Sequence, residues 1–363
     1  MLKRIDRYII SKFLGTYFFS LSLIILIGVV FDYNENVDKF NTYHAPWRAI
    51  LFDYYLNFIP YYSNLFSALF VFLSVIFFTS KLAGGSEIIA IQSAGISFRR
   101  LMRPYLISAA LISALSLYLS TEVIPRGSVK RLDFENTYKN KKKQKTYADN
   151  VQMQVEKGVI AYMEHFDGTT KRGLHFSLDR FEGKELVSHL TARSVEYDTL
   201  SDVRYRWRLT DVRIRDLVGM REKITSHARL DSVICIEPSD FLFSFKQQET
   251  LTSTQLRQFI DKQKSRGSDN LSDFEVEYHT RYASSFAAFI MATIGVSVAA
   301  KKRKRGMGIA LGTGLGLIFA YIFLQKLSAA FSTNGNFPPI LAAWTPNIIF
   351  SLIAYILYRK APR

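Results

Sequence analysis

The 363-residue sequence contains a single cysteine, Cys235, so no disulfide can form within the chain. We predict that Cys235 is a small buried apolar residue and that the fold rests on packing. The sequence also lacks a GxxxxGK[ST] phosphate loop and the HExxH, CxxC and GxSxG motifs, and its six histidines are scattered. These absences argue against an enzyme. We therefore expect no catalytic, metal-binding or cofactor-binding residue in this chain.

Long apolar runs dominate what is present. The chain is 48% hydrophobic and 14% aromatic, yet it carries a net charge of +16, a combination that does not suit one soluble core. A helix needs about 17–25 residues to cross the hydrocarbon of a bilayer. Six uncharged stretches approach or exceed this length: 13–31, 54–80, 104–121, 282–300, 306–325 and 340–358. We therefore predict six transmembrane helices.

Lysine and arginine in the short loops predict the orientation. They cluster before the first span, between the second and third, between the fourth and fifth, and after the sixth. Under the positive-inside rule, these four segments and both termini are cytoplasmic, and residues 124–281 lie outside. In this reading the run Lys301–Arg305 is a topology signal that can also contact anionic lipid. The long, aromatic first stretch lacks a small-residue cleavage site, which favours a retained span over a signal peptide.

The two flanks of the first three spans are predicted to differ in structure. Residues 1–12 read as a short amphipathic helix on the cytoplasmic membrane surface. Residues 125–281 instead show period-two alternation, as in 151–155, 174–178 and 205–209, punctuated by glycine turns. The fold class is thus an α-helical polytopic membrane protein with an inserted β-sandwich or jelly-roll-like domain. Its divisions are 1–124 (spans one to three), 125–281 (β-domain with a helical return) and 282–363 (spans four to six).

The loop between spans two and three carries the most informative segment, residues 86–97. Ser86 follows two glycines and could cap a two-turn helix with Glu87 near its positive end. One interpretation is a connector lying on the membrane surface. The other is a coupling helix whose apolar face, formed by Ile88, Ile89 and Ile91, enters a groove of a nucleotide-binding partner while Glu87 pairs with a basic residue there.

Several segments together resemble one family. The start Asp6-Arg-Tyr-Ile9, the loop Ser86-Glu…Gln92-Ser-Ala-Gly95, the Phe337-Pro-Pro339 segment and three spans on each side of a β-domain are similar to the LptF/LptG lipopolysaccharide export permeases. The Asp6-Arg-Tyr-Ile9 start and the Pro338-Pro339 turn favour a G-type subunit. The sequence leaves open whether the subunit pairs with a copy of itself or with a homologue.

The resemblance implies a set of partners and a location. Two homologous permease subunits would form a cavity in the bacterial inner membrane, and an LptB-type ATPase dimer would supply the energy, so that ATP is used by the partner. Lipopolysaccharide would then pass to a periplasmic bridge of LptC/LptA type. The implied ATPase-coupling residues are Ser86, Glu87, Ile88, Ile89, Ile91, Gln92 and Gly95.

Basic residues at the predicted outer ends of spans one and three form a second candidate site. Phosphates of a lipid head need Lys or Arg partners at headgroup depth, and the candidates are Lys39, Arg126, Lys130 and Arg131. Ordinary solvated charge is the competing interpretation. It applies most strongly to the lysine run 139–145, which could be a flexible lead into the β-domain.

Three glycines of span five, Gly308, Gly312 and Gly316, form a stripe at four-residue spacing. Such a stripe indicates close helix packing. The contact could be static, or it could be a sliding contact at a lateral gate between two subunits. The alternatives for the whole chain are another ABC-type envelope lipid or lipoprotein exporter subunit, or a non-transporting membrane scaffold.

Overall fold

The structure, a computed structural model, describes residues 4–139, 147–199, 205–219, 221–241, 247–265, 271–300, 307–335 and 337–361. The chain divides into two compact units. The helical unit comprises Met1–Lys139, Gln248–Thr254 and Ser272–Arg363, and the sheet unit comprises Asn140–Gln247 and Gln255–Leu271. The basic runs Lys301–Arg305, predicted to be a topology signal, and Lys141–Lys145, predicted to lead into the β-domain, lie outside the described residues.

Within the described residues, six helices are long and apolar enough to cross a membrane, which confirms the predicted number. Three precede the sheet and three follow it. Their bounds are Arg4–Thr42, Ser67–Gly84, Phe98–Lys139, Ser272–Ala299, Leu311–Thr333 and Pro339–Arg359.

The first helix, α1 (Arg4–Thr42), is continuous, so the prediction of a separate surface helix over residues 1–12 is wrong. Ile9, Phe13, Tyr17, Leu21 and Ile25 are all buried and follow one another at four-residue spacing. One apolar stripe therefore crosses the expected break, and it packs α1 along the helix bundle over this whole length.

The next two spans are interrupted or extended by irregular turns. A π-helical segment (Ala49–Tyr55) continues directly into α2 (Leu56–Leu65). The helix is then interrupted at Phe66, before α3 (Ser67–Gly84) begins. After the short α4 (Glu87–Ser93), the third span is built from four successive pieces: α5 (Phe98–Tyr118), π-helical Leu119–Val123, α6 (Ile124–Phe134) and π-helical Glu135–Lys139. The division predicted between residues 124 and 125 falls inside this long helix.

Three helices complete the bundle after the sheet: α10 (Ser272–Ala299), α11 (Met307–Thr333) and α12 (Pro339–Arg359). The most buried of the candidate spans is α10, which packs against α3, α5 and α12. Small residues make this central position possible. At Gly295, for example, a side chain would collide with Val75 of α3.

The sheet unit contains an antiparallel sheet of six strands in sequential order. The strands are β1 (Tyr147–Glu156), β2 (Val159–Asp167), β3 (Arg172–Glu182), β4 (Glu185–Tyr197), β5 (Arg206–Val218) and β6 (Arg221–Val233). This confirms the inserted antiparallel β-domain. Gly173 lies inside β3, where a side chain would collide with Met163 of β2.

The apolar face of this sheet is covered in part by the chain that follows it. Ile234, Ile236 and Phe241 belong to the buried core of the sheet, and the indole of Trp207 donates a hydrogen bond of 3.0 Å to the carbonyl oxygen of Ile236. The described strands thus form one sheet, whose second layer includes the segment leading into α7 (Pro238–Phe241). Cys235 is partly buried at the edge of this core. Two helices, α8 (Gln247–Thr250) and α9 (Ser253–Ser265), then lead to α10.

Candidate lipid groove and coupling segment

The predicted coupling segment contains one short helix held between two left-handed residues. Ser86 precedes α4 with a φ of 60° and makes no side-chain cap bond to the helix, contrary to the predicted capping role. Gly95 follows with a φ of 83°, and its N–H donates a bond of 2.9 Å to the carbonyl oxygen of Gln92. Glycine suits this position because it adopts positive φ without steric cost.

Only part of the expected apolar face of α4 is available to another protein. Ile88 is 1% exposed and belongs to the core of the helical unit, and Ile91 packs partly against the same core. The prediction that Ile88 enters a partner groove is therefore wrong, because Ile88 holds α4 onto its own bundle, whereas Ile91 is only partly buried. Glu87 and Ile89 remain exposed, with Ile89 at 49%.

An apolar groove of about 580 Å³ runs beside α1. Its walls come from α1, α2, the first residue of α3 and the third span. On α1 they include four residues at four-residue spacing: Tyr17, Leu21, Ile25 and Val29. Few polar groups line the groove, and four of them form two hydrogen-bonded pairs. The Tyr17 hydroxyl lies 2.8 Å from Ser67 Oγ, and Ser116 Oγ donates to Asn64 Oδ1 at 2.6 Å.

A charged and aromatic cluster adjoins the groove at Val29, which lines the groove and also packs against the aromatic residues of the cluster. Its centre is the carboxylate of Asp32 on α1. This group accepts bonds from Tyr54 Oη at 3.0 Å, Tyr55 Oη at 3.1 Å and Lys139 Nζ at 3.2 Å. Lys139, expected in a flexible run, is instead the last residue of the third span and neutralises Asp32.

The four residues predicted to bind lipid phosphates differ in exposure. Lys39 and Lys130 are exposed, and the Arg126 side chain is 73% exposed while pairing with Glu122 at 2.6 Å. The Arg131 side chain is only 4% exposed. It bonds Glu135 and Glu249, both at 3.3 Å, and lies over the ring of Tyr61. Arg131 was expected to be accessible, and this expectation is wrong because the side chain is buried and both of its terminal nitrogens bond carboxylates of the same chain.

Sequence reasoning missed a second buried cation, Arg281 of α10. Its guanidinium donates to Glu277 Oε1 at 2.9 Å and to the carbonyl oxygens of Gln248 and Leu251, both at 2.8 Å. Arg131 and Arg281 therefore fix the returning segment Gln248–Thr254 to the third and fourth spans. The only sequence signal was a cation directly before an uncharged stretch, and this signal does not reveal partners about thirty residues away.

The glycine stripe of α11 does not make the predicted close contact within this chain. Gly308, Gly312 and Gly316 are exposed, and an added side chain at any of them would meet open space. The glycine that packs closely is Gly314, against Phe72 and Ile76 of α3. The stripe thus leaves a low-relief face that this chain does not cover.

Among the residues that the structure describes, no group of three or more His, Cys, Asp or Glu side chains could hold a metal ion.

No curated protein matches the sequence. A family profile described as lipopolysaccharide export system permease LptF/LptG matches residues 7–360, which is nearly the whole chain. The match covers all six candidate spans except the first three residues of α1. The chain therefore belongs to the LptF/LptG family of lipopolysaccharide export permeases.

Proposed function

We propose that this chain is one half of an ABC-type transporter that extracts lipopolysaccharide from the outer leaflet of the bacterial inner membrane. A homologous permease subunit completes the cavity, an LptB-type ATPase dimer supplies the energy, and a periplasmic bridge of LptC/LptA type receives the lipid. The observation that supports this most directly is the apolar groove along α1, which adjoins a cluster of charged residues at Val29.

The groove suits acyl chains, because its lining is almost wholly apolar and the few polar groups named above are paired within the chain. The lipid phosphates would lie toward the exposed cations Lys39, Arg126 and Lys130. Arg131 takes no part in this proposal because its charge is already paired. Each headgroup-level cation contributes about 1 kcal/mol, so the three would act together.

Coupling to the ATPase is assigned to the exposed face of α4. Glu87 and Ile89 face outward, while Ile88 anchors the helix to the bundle. Gly95 shapes the turn behind the helix. The glycine face of α11, formed by Gly308, Gly312 and Gly316, is proposed as the surface that meets the homologous subunit at a gate.

Photocrosslinking tests the lipid assignment. A photoreactive residue at Leu26, which lines the groove, is compared in cells with one at Leu352, which is exposed on α12. Lipopolysaccharide adducts are expected at Leu26 and not at Leu352. Equal adducts at both positions, or none at Leu26, would contradict the groove and favour a scaffold or an exporter of another lipid.

Two neighbouring isoleucines test the coupling face. Ile89→Ala should largely spare folding and weaken ATPase binding, since Ile89 is 49% exposed and does not belong to the buried core. Ile88→Ala should instead cost roughly 2–5 kcal/mol of stability. Glu87→Lys should abolish lipid-stimulated ATP hydrolysis in the reconstituted complex without lowering the melting temperature. Wild-type stimulation in Glu87→Lys would remove the assignment.

Cysteine labelling of intact cells tests the orientation. In a Cys235→Ser background, His165→Cys in β2 should react with an impermeant reagent and Arg303→Cys should not. The opposite pattern would reverse the proposed topology and exclude export in this direction.

A further inference from the structure

A partly buried ion pair joins the start of α1 to the start of α5. The carboxylate of Asp6 accepts two bonds from the guanidinium of Arg100, at 2.9 Å and 2.6 Å. The Asp6 side chain is 5% exposed and that of Arg100 is 25% exposed. A bidentate pair of this kind fixes both distance and orientation between its two helices.

Arg100 is part of the same local structure as the coupling segment. The N–H of Ile96 bonds the carbonyl oxygen of Ile91 in α4, and the N–H of Arg100 bonds that of Ser97 at 2.9 Å. Four residues lie between Gly95 and Arg100, and the last two of them already belong to α5. A displacement of α4 is therefore transmitted to Arg100 through a short segment of hydrogen-bonded chain.

Asp6 lies at the opposite end of α1 from the charged cluster. Because α1 is a single helix from Arg4 to Thr42, a force applied at Asp6 acts on the groove-lining residues Tyr17 to Val29 of the same helix. Helices transmit such displacements because their hydrogen-bonded backbone is stiff.

We propose that Asp6 and Arg100 are positioning residues that transmit movement of the coupling segment to α1, and so open or close the lipid groove. The inference rests on the proposed function, because it requires a partner ATPase to move α4. In this proposal the pair acts on α1 and needs no contact with nucleotide or lipid. It acts by making α1 follow α4 when the ATPase changes state.

The test uses the complete transporter, with its partner permease and ATPase, reconstituted in vesicles with and without lipopolysaccharide. The variants are Asp6→Asn, Arg100→Gln and the reversed pair Asp6→Arg with Arg100→Asp. The matched control is Arg99→Gln, an exposed arginine next to Arg100. The measurements are basal ATP hydrolysis, lipid-stimulated hydrolysis, lipid extraction and melting temperature.

We expect the two single variants to keep basal hydrolysis, while lipid stimulation and extraction fall roughly tenfold, the effect of losing one charged hydrogen bond. The reversed pair should recover part of both, and Arg99→Gln should resemble wild type. If a variant fails to assemble, Arg100→Lys, which keeps the charge with fewer bonds, should give an intermediate loss of stimulation.

Two results would overturn the proposal: wild-type stimulation in Asp6→Asn, or basal and stimulated rates that fall together with the melting temperature, which indicates a purely structural role. Failure of the proposed function is distinguishable. In that case Glu87→Lys would also leave stimulation unchanged, whereas failure of the ion-pair proposal alone leaves the Glu87→Lys effect intact.

Discussion

Two arginines of the helical unit are far more buried than a paired arginine of the sheet unit. In the helical unit, the side chains of Arg131 and Arg281 are each 4% exposed and hold separate parts of the chain together. In the sheet unit, Arg215 and Glu222 pair at 2.8 Å with side chains 51% and 46% exposed. An arginine–glutamate ion pair can therefore connect separate parts of the chain when it is buried, and contribute little to stability when it is exposed.

The difference follows from solvation. A buried guanidinium that loses its partners cannot recover hydrogen bonds from water, so its removal or the removal of its partners leaves unsatisfied groups. Exposed pairs exchange protein contacts for water contacts at little cost. The contrast predicts that matched substitutions in the two units will have very different effects on stability.

The largest effect is expected for Arg281→Met. This change strands the Glu277 carboxylate and the carbonyl oxygens of Gln248 and Leu251, so it should lower the free energy of unfolding by roughly 3–5 kcal/mol. Thermal unfolding of the purified protein in detergent measures the effect, and Arg215→Met in the sheet unit is the control. Similar melting temperatures for the two variants would break the contrast.

A smaller loss is expected for Asp32→Asn, because an amide accepts the bonds of Lys139 and the two tyrosines less strongly than a carboxylate does. The cost should be about 1.5–3 kcal/mol, the range for hydrogen bonds to charged groups. Asp38→Asn, at an exposed position of the same helix, is the control. Equal stability of both variants would show that the hydrogen bonds of Asp32 do not stabilise the helical unit.

Backbone strain should not distinguish the two units. Gly95 beside α4 and Gly183 between β3 and β4 both have positive φ, 83° and 66°. A side chain at either position would meet no neighbouring atom within 4 Å. Changing either to alanine should cost about 1–2 kcal/mol, because the penalty is local to the residue. A clear inequality between the two variants in thermal unfolding would mean that packing also contributes.

The smallest effect is expected for Glu222→Gln. The hydrogen bond from Arg215 lowers the pKa of Glu222, so any stability it contributes is present above the unfolded pKa and is lost as pH falls through the lowered folded pKa. At neutral pH the melting temperature should barely change, because the pair is exposed. Any difference should disappear in acid, and a difference that grows on acidification would reverse the assigned sign.

Hydropathy predicted the spans because membrane helices must be both apolar and long, and the alternation of apolar and polar residues predicted the strand-rich insert. Period-two alternation also placed β1, β3 and β5 correctly. The extent of α1 was missed because positive charges near residue 12 obscured a buried stripe that starts at Ile9.

The candidate sites were harder to predict because exposure depends on distant contacts. Ile88 and Ile89 are chemically identical neighbours, and only the fold shows which of them faces the core. Arg131 looked like a free headgroup ligand, yet one of its partners, Glu249, is 118 positions away. Glycine spacing on α11 predicted packing, but the face that packs carries Gly314 and not the regular stripe.

The length of the third span has a consequence of its own. Its 42 residues correspond to about 63 Å of helix, and even a tilt of 40° leaves about 48 Å along the membrane normal, more than the ~30 Å hydrocarbon. Much of the segment after Thr121, which begins with Glu122, must therefore project from the bilayer. The length of this helix therefore sets the height above the bilayer at which the chain leaves the helical unit. Removing seven residues would lower that point by about 10 Å and nearly keep its direction, whereas removing two would swing it round by about 200°.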